Sequence, residues 1–226
     1  MAAPEKFFGQ QGTFDDSSDY NARDFHIRQA IGQIRTSYEA KIIAVHGGGV
    51  GAAPTVDVQP LVNQIDGQGN KTDHGIIYGL SVARNQGGTA AIINDPVVGD
   101  IGHVVISDRD TSSLRSNQGQ QSNPGSFRTH DMADGVYHAA TLNPATPTRY
   151  ANFNGPGITI ADEFGNTIAT SSAGITLNGV LIDRDGNITA PGNITAGSGT
   201  GDAVTLQNHT HPTTPPGPEA PPNPGT

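Results

Sequence analysis

The sequence contains no cysteine and no tryptophan. Disulfides and thiolate metal sites are therefore excluded, and cysteine usage does not report the redox compartment. With seven phenylalanines, five tyrosines and no tryptophan among 226 residues, little surface is available for stacking on sugars. Charge is sparse at 15%, and the formal net charge is −9. A nucleic-acid partner is not expected, because phosphate binding needs clustered lysine and arginine. No apolar run approaches the roughly 18–20 residues that cross a bilayer. The opening Met1-Ala-Ala-Pro-Glu-Lys-Phe-Phe-Gly9 lacks the positive-then-apolar layout of a secretory signal. Delivery outside the producing cell would then need another route.

What the chain does have is turn-forming residues, with 30 glycines and 16 prolines. A chain so short of large apolar side chains usually stays disordered, but disordered chains are also rich in charge. Here β-branched residues stand between turn signals, as in short strands. The missing core is expected to come from other copies of the same chain.

The first 20 residues are polar and expected to be poorly ordered, and Tyr20 to Thr36 reads as a helix through Phe25, Ile27, Ile31 and Ile34. Residues 1–36 thus form an N-terminal segment, and 37–111 read as a small mainly-β domain. Its expected strands are Ala40–Val45, Thr55–Gln59, Gly75–Val82, Thr89–Ile93 and His103–Ser107. Five short strands in about 75 residues suit a barrel of the oligonucleotide/oligosaccharide-binding (OB) shape, with a small sandwich as the alternative. The loop-like stretch 112–149 reads as a connector, longer than loops in compact domains normally run.

From 150 to 206 the pattern becomes regular. Ile158-Thr-Ile160, Thr167-Ile-Ala-Thr170, Ile175-Thr-Leu177, Val180-Leu-Ile182, Ile188-Thr-Ala190 and Ile194-Thr-Ala196 alternate with glycine and asparagine turns. Only 14 of the 62 residues from 150 to 211 are Ile, Leu, Val or Phe, too few for a monomeric core. Three chains wound about one axis would let each isoleucine face its symmetry mates and leave no strand edge open. A single-chain solenoid and a disordered linker are the rivals; solenoids keep a steadier period, and the Ile/Thr alternation opposes a linker.

Asn208-His209-Thr210-His211-Pro212 closes the regular region, and residues 207–226 form an apex with a proline-rich end. On an extended backbone His209 and His211 face the same side. Two ligands hold a metal poorly, but a three-fold axis turns the pair into six imidazole nitrogens around one point. That octahedral set suits iron(II), nickel or cobalt better than tetrahedral zinc. Neutral imidazole is the ligating form, so such a site weakens in acid. The alternative is a pair of solvated histidines in a polar tail. His26, His46, His74, His103, His130 and His138 share no spacing and read as ordinary polar or core residues.

The order of helix, small barrel, connector, Ile-Thr β-structure and His-Thr-His resembles the central spike, or membrane-piercing needle, of contractile phage tails and related injection machines. Asn94–His103 with Ser107–Asp110 resembles the barrel end of that family's N-terminal domain, and Asp202–Pro212 resembles its iron-binding apex; the likeness spans most of 36–212. It implies a homotrimer whose barrels dock on the tail hub of the baseplate. An intertwined trimeric β-helix would point at the host outer membrane. It also implies one iron ion per trimer, held by His209 and His211 of each chain. The location implied is the virion's tail tip, after synthesis in the host cytoplasm. The proline-rich end is longer than a bare needle tip needs.

No catalytic set emerges, so a structural role and not an enzyme is expected. Gly47-Gly-Gly-Val-Gly51 lacks the Lys and Ser/Thr of a phosphate loop and reads as a turn. Asp108, Asp110, Asp183 and Asp185, in Asp-Arg-Asp turns, read as turn formers or solvated pairs. A trimeric receptor-binding or polysaccharide-processing tail fibre is the alternative. A metalloenzyme built on the histidine pair would need a third ligand, and none lies close in sequence.

Overall fold

The computed structural model describes residues 11–139, 142–143, 145–199, 201 and 203–207. It is mainly β and divides into two units, Met1–Pro144 and Ala145–Thr226.

In the first unit, α1 spans Asp19–Gly32, with Ser18 as its N-cap accepting a hydrogen bond from the Asn21 N–H. It ends four residues short of the expected Thr36. Gly32 weakens the helix, and the Gln33 and Ile34 N–H groups close on Ala30 and Ile31 in a tightened last turn. No residue of α1 is buried, so the isoleucine spacing does not mark a core face.

Five strands close a barrel: β1 Ser37–His46, β2 Thr55–Pro60, β3 Ile77–Val82, β4 Ile101–Ile106 and β5 Gly135–His138. Around the barrel the order is β1-β2-β3-β5-β4, returning to β1. Every neighbouring pair is antiparallel except β3 with β5, where Ser81 lies opposite Val136 and Val82 opposite Tyr137. Strict alternation sends Ala40, Ile42, Val56, Val58, Leu80, Val82, Val104 and Tyr137 inward to form the core. A register shift between Ile42 and Ala44 bends β1.

Two sequence expectations are corrected here. Thr89–Ile93 supplies no barrel strand: Ala90–Ile92 pairs with Asn85–Gly87 in a separate, fully exposed hairpin. The barrel's fifth strand is Gly135–His138, from inside the stretch read as a connector. It carries a single large inward side chain, Tyr137, too little for a periodicity signal. Gly102 accommodates that ring: a Cβ there would run into the Tyr137 ring and the His138 carbonyl.

The chain between β4 and β5 is held by buried charge. Asp110 and Asp134 are 6% and 1% exposed. Arg128 donates from Nε to Asp134 Oδ2 at 2.7 Å, and from Nη2 to Asp110 Oδ1 and Asp134 Oδ1, both at 2.9 Å. Thr111 donates to Asp134, and Ser112 and Ser126 donate to Asp110. Of the first Asp-Arg-Asp turn, then, Asp108 is solvated as expected, but Asp110 is a buried clasp residue.

The second unit is an antiparallel meander: β6 Tyr150–Asn152, β7 Thr159–Ala161, β8 Thr167–Thr170, β9 Gly174–Leu177, β10 Val180–Asp183 and β11 Ile188–Thr189, each paired to the next. Thr195–Ala196 and Val204–Thr205 form a further small ladder. Two hairpins of the meander are closed by the same five-residue turn, Asp-x-x-Gly-Asn, at 162–166 and 183–187; a third copy, Asp66–Asn70, closes the Gln64–Ile65/Lys71–Thr72 hairpin of the first unit. In each, one aspartate oxygen accepts two backbone N–H groups and the other takes the asparagine amide, at 2.7–3.0 Å. The glycine of each turn sits at φ +86°, a left-handed position suited to a residue without Cβ. The asparagine amide, above all, holds each aspartate below its ordinary pKa. Turns this specific explain how strands of two to four residues keep register.

Candidate functional surface

The register of the meander sorts its residues by face. Ala151 lies opposite Ile160, Ile160 opposite Ile168, Ile168 opposite Leu177 and Leu177 opposite Val180. A second row runs from Thr170 through Ile175 and Ile182 to Ile188. Directly paired residues share a face, as do residues two apart on one strand. Both rows therefore lie on one side of the sheet, which is almost wholly aliphatic. The opposite side carries Thr159, Ala161, Thr167, Ala169, Thr176, Leu181 and Thr189.

Among the described residues of the unit, nothing buries the aliphatic side. Among the described residues from 145 onward, none is buried. Ile160, Ile168, Ile175 and Leu177 remain 43–47% exposed and Ile188 reaches 62%. An open concavity of about 310 Å³ is lined by Ile160, Ile168 and Leu177 together with the turn residues Asp162, Asn166 and Asn178. Contiguous exposed aliphatic surface of this kind marks an interaction site.

His209 and His211 lie outside the described residues, as does most of Asp202–Pro212. His46, His103 and His130 each face one carboxylate, on Asp57 at 2.9 Å, Glu39 at 2.9 Å and Asp108 at 3.3 Å. They are partly exposed polar residues, one of the two readings the sequence allowed. His103 and His138 stand opposite each other on β4 and β5. Among the described residues no group of three or more His, Asp or Glu is arranged to hold a metal ion.

The Gly47-Gly-Gly-Val-Gly51 loop is a turn, and its anion is internal. Gly47, Gly48 and Gly49 have φ of +79°, +118° and +76°. The Gly49 N–H points at Asp95 Oδ2, while Arg84, buried to 6% exposure, donates to Asp95 Oδ1 and the Gly51 carbonyl, each at 2.8 Å. The Gly49 N–H and then Arg84 hold the Asp95 carboxyl below its usual range. Asp95 lies in the Asn94–His103 stretch, so that segment works as the latch of the first barrel loop. Sequence reasoning missed both this latch and the Arg128 clasp. The only signals available were an arginine flanked by acids far away in the chain.

No protein-family model matches the chain, and no curated protein matches it either.

Proposed function

We propose that the chain is a structural, non-enzymatic tail-tip spike: three copies join through the aliphatic side of the 150–206 β-structure into an intertwined needle. Contractile injection drives that needle through the host outer membrane. The observation that carries this reading is a six-stranded sheet with one continuous aliphatic face and no buried residue of its own. A single copy leaves that face in water and gains little from burying it. Three copies sharing a core remove the exposed face and stiffen the needle against buckling. The barrel's β1-β2-β3-β5-β4 order with its parallel β3–β5 pair supports an OB-type domain. In the assembled virion that domain would be the part docked on the baseplate hub.

At the tip, His209 and His211 of three chains supply six neutral imidazoles, a donor set suited to one octahedral iron ion, with nickel or cobalt fitting less well. The ion would tie together chain ends that otherwise fray.

Light scattering coupled to elemental analysis tests both parts. A particle of about 70 kDa, three times the 23.3 kDa chain, is expected to carry one metal ion per three chains. The double variant His209→Ala/His211→Ala is expected to lose the metal and remain trimeric. A 23.3 kDa monomer whose 150–206 segment resists protease would overturn the assembly. Metal-free trimers from protein never exposed to chelator would remove the tip.

A further inference from the structure

We infer that Asn154 is a site of spontaneous deamidation, while Asn178, the other asparagine followed by glycine, is protected by its own hydrogen bonds. The sequence contains two Asn-Gly pairs, Asn154-Gly155 and Asn178-Gly179. Glycine has no Cβ to hinder attack by its backbone nitrogen on the preceding side chain, so sequence alone ranks the two equally. The fold separates them.

Asn178 occupies the turn between β9 and β10 at φ +46°. Its Oδ1 accepts from the Thr167 N–H at 2.6 Å, and its Nδ2 donates to Asn166 Oδ1 at 2.9 Å. Asn166 is itself fixed by Asp162, which takes its Nδ2 at 2.8 Å. The Asn178 amide is thus clamped at both ends, one of them through the Asp-x-x-Gly-Asn turn. Its carbon cannot swing toward the Gly179 nitrogen until both bonds break.

Asn154 sits in the β6–β7 turn, exposed, with its backbone N–H bonded to Asn152 Oδ1 at 2.8 Å. Among the described residues nothing bonds its side-chain amide. Gly155 is exposed as well, and no atom lies within 4 Å of where a Cβ on it would stand. The side chain is free to turn, and there is room for a five-membered ring.

The reaction needs only water. The Gly155 nitrogen bonds to the Asn154 Cγ, the Cγ–Nδ2 bond breaks, and Nδ2 departs as ammonia, its third hydrogen being the proton that the Gly155 amide loses, relayed through water. Water then adds to either carbonyl of the succinimide and opens it to an aspartyl or isoaspartyl residue. Each event adds a carboxylate to a chain already at −9, and the isoaspartyl product lengthens the backbone one turn ahead of Ile158.

The test is incubation of the intact protein in mildly alkaline buffer, followed by peptide mapping that follows conversion of amide to acid at each position. In the folded protein Asn154 is expected to convert roughly tenfold faster than Asn178, the scale of two hydrogen bonds that must first be lost. In denaturant the two rates should converge. The variant Asn166→Ala, which removes one end of the clamp, should speed conversion at Asn178 and leave Asn154 unchanged. Equal rates in the folded protein, or faster loss at Asn178, would overturn the inference. Neither outcome depends on the number of chains in the particle or on a metal.

Discussion

Replacing Ile168 with aspartate strikes the middle of the aliphatic face. Ile168 faces Ile160 on one side and Leu177 on the other, and is 46% exposed. Fully burying an aliphatic side chain is worth about 1.5–3 kcal/mol, so a half-exposed one leaves about 1 kcal/mol to gain on association. Ile158, Ile160, Ile168, Ile175, Leu177 and Ile188 are 40–62% exposed. Those six offer about 6 kcal/mol per chain, or roughly 18 kcal/mol for three chains. Bringing three bodies together takes two associations at about 4–15 kcal/mol each. In the proposed trimer, Val180 and Ile182 on the same face would add to what these six supply. Ile168→Asp forfeits about 3 kcal/mol over three chains. In the proposed trimer it would also gather three carboxylates near one axis, where each unpaired charge costs several kcal/mol more. Sedimentation velocity should show the parent protein as a trimer and the variant as a monomer, with its second unit rapidly cut by protease. Thr176→Asp, on the opposite side of the sheet, should stay trimeric. A trimer that survives Ile168→Asp would refute the assignment of this face to the interface.

Arg128→Ala strands the buried Asp110 and Asp134 carboxylates. The expected loss in chemical denaturation is about 2–3 kcal/mol, below the ~3–5 kcal/mol of a fully buried pair because the Arg128 side chain is 38% exposed. Hydrogen bonds from Ser112 and then Ser126 bring Asp110 down to about 2. Burial pushes Asp134 up, but the Arg128 and Thr111 bonds outweigh it and hold it below its ordinary value. A carboxylate with a depressed folded pKa stabilises above its unfolded pKa of about 4, and that contribution fades as pH falls toward the folded value. The first unit should therefore lose stability from about pH 4 down to 2, by circular dichroism; Asp110→Asn should flatten that slope, and an unchanged slope would count against the clasp. Gly102→Ala forces a methyl group against Tyr137 and the His138 carbonyl. It should cost about 1–3 kcal/mol in thermal unfolding, whereas Gly192→Ala, with open space around it, should be near neutral.

Short-range features were legible in the residues. Four of the five barrel strands, the alternation of Thr55–Gln59 and the Ile/Thr runs of the meander follow from side chains a few positions apart, because a strand's two faces are set by its own period of two. The same locality makes the glycine and asparagine turns readable, and the scarcity of aliphatic residues after 150 is a matter of composition alone. The tertiary structure decided what depends on distant partners. Gly135–His138 is a strand only because β3 and β4 present edges on either side of it. Arg128 and Arg84 became structural only when folding brought acids to them. The alternating isoleucines became a single aliphatic face only through the register of five successive hairpins, two of them closed by Asp-x-x-Gly-Asn turns. Composition told that a core was missing; pairing told which side of the sheet lacks it.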